Sequence, residues 1–230
     1  MLVRKLCKFL PVIAVAFLAA FLSAGSYLVN QRSLPVSKAF AGPGSRQPAG
    51  EQVKPLWEVL REKGITDPGP GLKIVIDKSD HTLSLFYGNT WLKSYHVEFG
   101  EGGMGDKEVA GDRRTPEGTF YVSEKSVLTP PDYYLGSRWL RLSYPNTEDA
   151  GRGLRQGLID RWTHDAIVAA FSSGKTTPQR TALGGGIGIH GGDKPEFGDN
   201  WTWGCIGLTN RDIEDFYNYV GIGTPVMINK

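Results

Sequence analysis

The chain has 230 residues, 40% hydrophobic and 22% charged, with 30 glycines and 14 prolines. That length holds one ordinary domain plus appendages, and so much glycine and proline argues against a helical bundle and for short strands with frequent turns. The formal net charge is +2; residues 1–30 carry Arg4, Lys5 and Lys8 and no acid, so the remainder stands at −1, which excludes an electrostatic grip on nucleic acid.

Along the chain, Arg4, Lys5 and Lys8 precede an uncharged run from Phe9 to Asn30. Its most apolar part, Phe9 to Leu22, has the length of a signal-peptide core. Extended through Val29 it reaches the roughly 20 residues that cross a bilayer. Residues 1–30 are expected to be a signal anchor or signal peptide, with the basic flank inside and the rest exported to the periplasm or cell envelope. A cleavage signal, Ala39-Phe40-Ala41, lies far from the run, which favours an uncleaved anchor in the inner membrane. Residues 31–50 lack a hydrophobic period and read as a flexible linker. Residues 51–71 read as a short helix and a turn: Val53, Leu56, Trp57 and Leu60 fall at helical spacing, Gly64 ends them, and Asp67 to Gly71 breaks the chain.

A β region then runs from Leu72 to Lys230. Strands are predicted at Lys73–Asp77, Thr82–Tyr87 and Trp91–Val97, with turns at Lys78–His81 and Gly88-Asn89. A glycine-rich loop covers Gly100–Asp112, and further strands are predicted at Gly118–Val122 and Trp139–Ser143. Gly151–Phe171 reads as one or two helices, with Leu154, Leu158, Ile159, Trp162, Ile167 and Val168 apolar. Gly186–His190 is a strand that ends on a histidine. Asn210 caps a helix reaching Tyr219, and Thr224–Ile228 closes the fold.

Two cysteines are present, Cys7 and Cys205. Export separates them, so Cys205 has no intrachain disulfide partner. It sits in Trp201-Thr202-Trp203-Gly204-Cys205-Ile206, fifteen residues after His190 in Ile189-His190-Gly191-Gly192. A lone thiol downstream of a histidine, each beside glycine, has the pattern of a nucleophile and its base. Gly102 to Asp106 lacks the Gly-Lys-Ser/Thr of a phosphate loop. A zinc set of His190, Asp193 and Cys205 lacks a further ligand at the right spacing. No metal and no cofactor are expected, and His81, His96 and His164 receive no role.

Three blocks together resemble the L,D-transpeptidase (YkuD) catalytic domain. They are Arg114-Thr115-Pro116-Glu117-Gly118-Thr119-Phe120, Ile187-Gly188-Ile189-His190-Gly191 and Thr202-Trp203-Gly204-Cys205-Ile206. The resemblance spans residues 72–230. It implies a mainly β fold with a few helices, a β-sandwich or flattened barrel. It also implies an enzyme acting on peptidoglycan stem peptides. A cysteine acyl-enzyme forms at the L-centre of a diaminopimelate-containing donor, the terminal D-alanine leaves, and a second stem's side-chain amine accepts.

Carried onto this sequence, the resemblance makes Cys205 the nucleophile and His190 the base. The Gly191 carbonyl orients the imidazole, and the amides of Trp203, Gly204 and Cys205 form an oxyanion site. Thr202 is a candidate substrate contact or a cap for the turn. The sequence departs from the family in having Trp203 where a histidine is usual and Gly207 where arginine or asparagine is frequent. Its segment between His190 and Thr202 is also short, at eleven residues. Two other readings stay open: an L,D-carboxypeptidase or hydrolase in which water takes the acyl group, and a non-catalytic wall-binding module.

Overall fold

The structure, a computed structural model, describes residues 54–230. The expected anchor, the linker and the start of the first helix lie outside the described residues. No helix among the described residues is long and apolar enough to cross a membrane.

The fold is mainly β. The strands are β1 (Leu72–Asp77), β2 (Thr82–Tyr87), β3 (Thr90–His96), β4 (Gly118–Asp132), β5 (Gly136–Leu142), β6 (Gly188–His190), β7 (Ile206–Gly207) and β8 (Pro225–Asn229). They lie in the order β3-β2-β1-β8-β4-β5-β6-β7. The helices among the described residues are α1 (Leu56–Glu62), α2 (Thr147–Arg155), α3 (Arg161–Ser172) and α4 (Asn210–Tyr217).

β4 is the corner of the sheet. Its first residues, Gly118 to Tyr121, pair antiparallel with β8, and from Val122 onward it pairs with β5. The register shifts between Val122 and Glu124. A bulge of this kind bends a strand and increases its twist, so one strand serves both halves. Beyond β3 the chain meets the opposite edge: the Glu98 amide donates to Gly207 O at 2.9 Å, and the Gly207 amide returns a bond to Glu98 O at 2.8 Å. These bonds tie the chain just after β3 to Gly207 at the other edge of the open mixed sheet.

The core fills the inside. β1 alternates buried and half-buried residues, placing Leu72, Ile74 and Ile76 inward against Leu83 and Leu85 of β2, Phe120 and Val122 of β4, and Phe216 of α4. α1 buries Leu56 and Leu60, roughly 1.5–3 kcal/mol for each side chain. Trp57, counted in the same apolar stripe from sequence, instead faces solvent beside the Arg61 guanidinium. Asp215 of α4 anchors the start of α1. Its carboxylate accepts from the Leu56 amide at 2.9 Å, from Lys93 Nζ at 2.6 Å and from the Tyr95 hydroxyl at 2.9 Å. A satellite cluster of Ala150, Ile159, Ile167 and Leu183 lies under α2 and α3.

Most elements fall where the pattern put them. β4 is much longer than its predicted strand, and α2 starts earlier than expected. Asn146 caps α2, accepting from the Glu148 and Asp149 amides, and the Asp149 carboxylate bonds back to the Asn146 amide. Asn210 is not the cap of α4. Thr209 is, with its hydroxyl accepting from the Asp212 amide at 3.1 Å.

Candidate active site

The second half of the sheet brings the histidine and cysteine blocks side by side. β6 and β7 are parallel, with Ile189 opposite Ile206 and His190 opposite Gly207. Cys205 therefore enters β7 next to the strand that His190 ends. The Thr115 block joins them from below. Thr115 Oγ1 accepts from the Gly100 amide at 3.0 Å and donates to Cys205 O at 3.4 Å.

His190 is fully buried, between Trp139, Tyr134 and Trp201 with ring centroids 5.7, 5.8 and 5.5 Å away. Its Nδ1 lies 2.7 Å from Gly191 O. A carbonyl only accepts, so the proton sits on Nδ1 and Nε2 keeps its lone pair. Nε2 is buried and finds no hydrogen-bond partner among the described residues. Such an atom is a site signal, because buried polar groups are ordinarily satisfied. Burial holds the imidazole pKa down at about 4, against the opposing pull of the Gly191 carbonyl and the Asp132 charge. At neutral pH the ring is a free base.

Cys205 is nearly buried, and burial pushes its thiol up to about 11, opposed by the Gly188 amide. The thiol donates to Gly186 O at 3.5 Å, so the resting pair is a neutral thiol and a neutral imidazole with no direct hydrogen bond between them. Catalytic hydrogen bonds are often loose before substrate arrives.

The turn before the cysteine is built on close backbone approach. Gly204 has φ +117°, and a Cβ there would stand 2.7 Å from Arg114 O. Thr202, a candidate substrate contact or turn cap by sequence, is fully buried. Its hydroxyl donates to Cys205 O at 2.7 Å and accepts from the Gly204 amide at 3.2 Å, so Thr202 ties the turn shut from behind. The Gly204 amide is thereby engaged inside the turn, and the oxyanion role expected for it would require that bond to open.

A cleft of about 830 Å³ opens in front of the thiol. Cys205, Gly186, Tyr134, Trp139, Arg113 and Arg141 are among its lining residues. Tyr134 sits close to the nucleophile: its hydroxyl is pushed up to about 12 by burial and then by the Cys205 charge. Trp203 stands on the rim, 68% exposed, packed on Tyr134 with ring centroids 5.6 Å apart and under the Arg113 guanidinium. The imidazole that the family usually carries here would thus stand at the cleft mouth. Trp201 belongs to the core beside Phe197 and Tyr134, not to the cleft wall.

Two parts of the site escape a sequence reading. Tyr134, on the tight turn between β4 and β5, follows Asp132, whose carboxylate accepts from the Tyr134 and Leu135 amides at 2.8 and 2.7 Å. The Asp-x-x-x-Gly spacing was the available signal for that turn. Asn210 is the other. Its Oδ1 accepts from the Ser137 amide at 2.8 Å and the Gly192 amide at 3.1 Å, fastening the segment after His190 to β5. Gly191 permits this approach, since a Cβ there would lie 2.2 Å from that oxygen.

The L,D-transpeptidase catalytic domain model matches residues 72–228. Over 156 residues the chain is 26% identical to the Escherichia coli protein named "Putative L,D-transpeptidase YafK", covering 66% of this chain and 48% of that one. The chain thus spans about half the length of the curated relative it matches. Among solved structures, the helical cell shape determining protein Pgp2 of Campylobacter jejuni aligns at 24% identity and TM-score 0.49, over 76% of this chain and 55% of that one. An Enterococcus faecium L,D-transpeptidase mutant aligns at 17% and 0.40, over 70% and 50%. The family match runs from β1 into β8 and takes in the Thr115, His190 and Cys205 blocks, and by it the chain belongs to the L,D-transpeptidase catalytic-domain family.

Proposed function

We propose that the domain is a cysteine-dependent L,D-transpeptidase acting on peptidoglycan stem peptides outside the cytoplasm, carried there by its basic-flanked apolar N-terminal run. The observation that carries this reading is the orphaned Nε2 of His190 on the strand beside a cleft-lining thiol.

Rotation of the Cys205 side chain away from Gly186 O brings the thiol toward Nε2. The imidazole takes the proton as sulfur attacks the donor's carbonyl carbon, so the two charges form together inside a buried wall. The Nδ1–H bond to Gly191 O steadies the resulting imidazolium. The Cys205 and Trp203 amides would serve as the backbone donors to the developing oxyanion; one such donor is typically worth about 2.7–4 kcal/mol. Collapse expels the D-alanine amine with the proton from Nε2, leaving a thioester. An incoming amine then gives its proton back to Nε2 and takes the acyl group. Arg113 and Arg141 in the cleft wall supply cations for the carboxylates of such peptides.

The test is incubation of the full chain with a purified disaccharide-tetrapeptide, followed by mass spectrometry. A cross-linked dimer is the expected product, and Cys205→Ala should remove it while leaving the fold intact. Tripeptide without dimer would establish the hydrolase reading instead. Unchanged substrate, together with no labelling of Cys205 by a carbapenem, would leave a wall-binding module.

A further inference from the structure

We infer that His81, His96 and Glu98 form a site for a divalent transition metal, with zinc the best fit, outside the catalytic cleft. One ligand atom from each of the three residues lies within 4.8 Å of the others. His96 and Glu98 are two positions apart in extended chain and share a face, with His96 Nε2 2.7 Å from Glu98 Oε1. His81 comes from the turn between β1 and β2, and its ring stacks on His96 with centroids 5.8 Å apart. Two imidazoles and a carboxylate are a donor set that zinc takes with a solvent molecule completing the tetrahedron.

The three side chains are held before any metal binds. His81 has φ +51°, an unusual conformation for a residue with a side chain. It persists because His81 O accepts from the Val97 amide at 3.0 Å while His81 Nδ1–H donates to Val97 O at 3.0 Å. The same Nδ1 lies 3.5 Å from Glu98 Oε2, so a metal held between them would take this nitrogen's lone pair and displace the proton it shares with Val97 O. Glu98 is buried, and its Oε2 accepts from the Asn200 amide at 2.8 Å, which orients the carboxylate from the outer side. Only His96, at 60% exposure, is free to adjust. A tetrahedral zinc sets its ligand atoms roughly 3.3 Å apart, a spacing that a small swing of this ring can reach.

The site lies outside the cleft but is joined to the catalytic loop. Glu98 receives the Asn200 amide, and Asn200 Oδ1 accepts from the Phe99 amide at 3.3 Å. Asn200 opens the segment that runs through Thr202 to Cys205. Glu98 also exchanges two backbone bonds with Gly207, two residues past the nucleophile. A metal on Glu98 therefore stiffens both ends of the loop that carries Cys205.

The test uses the full chain carrying Cys205→Ala, so that the thiol does not compete, stripped with a chelator and titrated with Zn²⁺ by calorimetry. The expected result is one strong equivalent per chain, a raised melting temperature, and visible absorption typical of tetrahedral geometry when Co²⁺ is used alone. Adding His96→Ala, an exposed change that spares the core, should weaken binding by at least the roughly 10–100-fold that loss of even an outer-shell partner costs. His96→Gln should do the same and guards against a folding artefact. An unchanged titration in both variants, or no binding to the wild-type site at millimolar zinc, overturns the assignment and leaves the trio as a hydrogen-bonded clasp. None of these readouts involves acyl transfer, so this result and that of the transpeptidase test fall independently.

Discussion

β1 and β2 pair continuously from Leu72–Tyr87 to Asp77–Thr82, whereas β6 and β7 share only Ile189–Ile206 and His190–Gly207. The first pair is held by burial: Leu72, Ile74, Ile76, Leu83 and Leu85 face the core, and a slip of one residue would turn them all outward. The second pair is glycine-rich and too short to keep a register by its ladder. Its register is held by polar side chains that reach backbone: Asn210 on Ser137 and Gly192, Thr202 on Cys205 and Gly204, Thr115 on Gly100 and Cys205. Close backbone approach is what a site of this kind needs, and large side chains would block it. Ile189 and Ile206 are buried in the same core as β1 and β2, and the hydrogen bonds add to that packing, so changes at these polar residues should cut function and stability together.

The largest effect is expected at the base. His190→Gln should slow acylation of Cys205 by a carbapenem by ~10²–10⁴, read by intact-mass spectrometry. Leu85→Ala, in the other half, should cost about 2–5 kcal/mol of stability and leave the acylation rate of the folded fraction nearly unchanged. Equal rate losses in both variants would erase the contrast between the halves.

The next effect is on stability against pH. The His190 pKa is about 4 when folded and 6.5 in the reference state. Between these values the unfolded chain binds more protons, so stability is complete above pH 6.5 and falls as pH drops toward 4. The loss is about 3 kcal/mol at about 1.4 kcal/mol per unit. Denaturant unfolding at a series of pH values checks this, and His190→Gln should remove that portion of the slope.

Asn210→Ala leaves the Ser137 and Gly192 amides without an acceptor, at about 1–3 kcal/mol for a buried donor. It should also slow acylation, because the segment after His190 loses its tie to β5. Asn210→Asp keeps the acceptor oxygen and should restore both properties; a stability loss without any rate change would make Asn210 purely architectural. The smallest effect is expected at Trp203→His, which puts the family's usual residue on an exposed rim. Stability should stay within about 0.5 kcal/mol, and the acylation rate should hardly move. A large gain in rate would mean that the rim imidazole takes part in the chemistry.

Much of the first half was legible because its period is local. Alternation in Leu72–Asp77 reports burial directly, the apolar run in Thr82–Tyr87 marks a strand buried through Phe86, and the spacing of Leu56 and Leu60 reports a helix face. In the second half the type of residue was legible but its task was not. Cys205 and His190 stand out as a thiol and an imidazole beside glycines, yet Asn210 has the sequence signature of a helix cap while its side chain bonds across to β5 and to the loop after His190. Thr202 reads equally as contact or cap, and only the fold shows that it is completely buried.

Residue chemistry and short-range period are properties of the chain itself, and they determined a strand-rich chain, the order of most elements and the thiol and imidazole proposed here for acyl transfer. Only the tertiary structure decided which nitrogen of His190 is free, that the thiol rests on Gly186 O, that Trp203 stands at the rim, and that His81 meets His96 and Glu98. Most of those depend on contacts between segments far apart in sequence, and even the bond of His190 Nδ1 to its neighbour Gly191 depends on a ring orientation set by Trp139, Tyr134 and Trp201; no local spacing carries a signal for these.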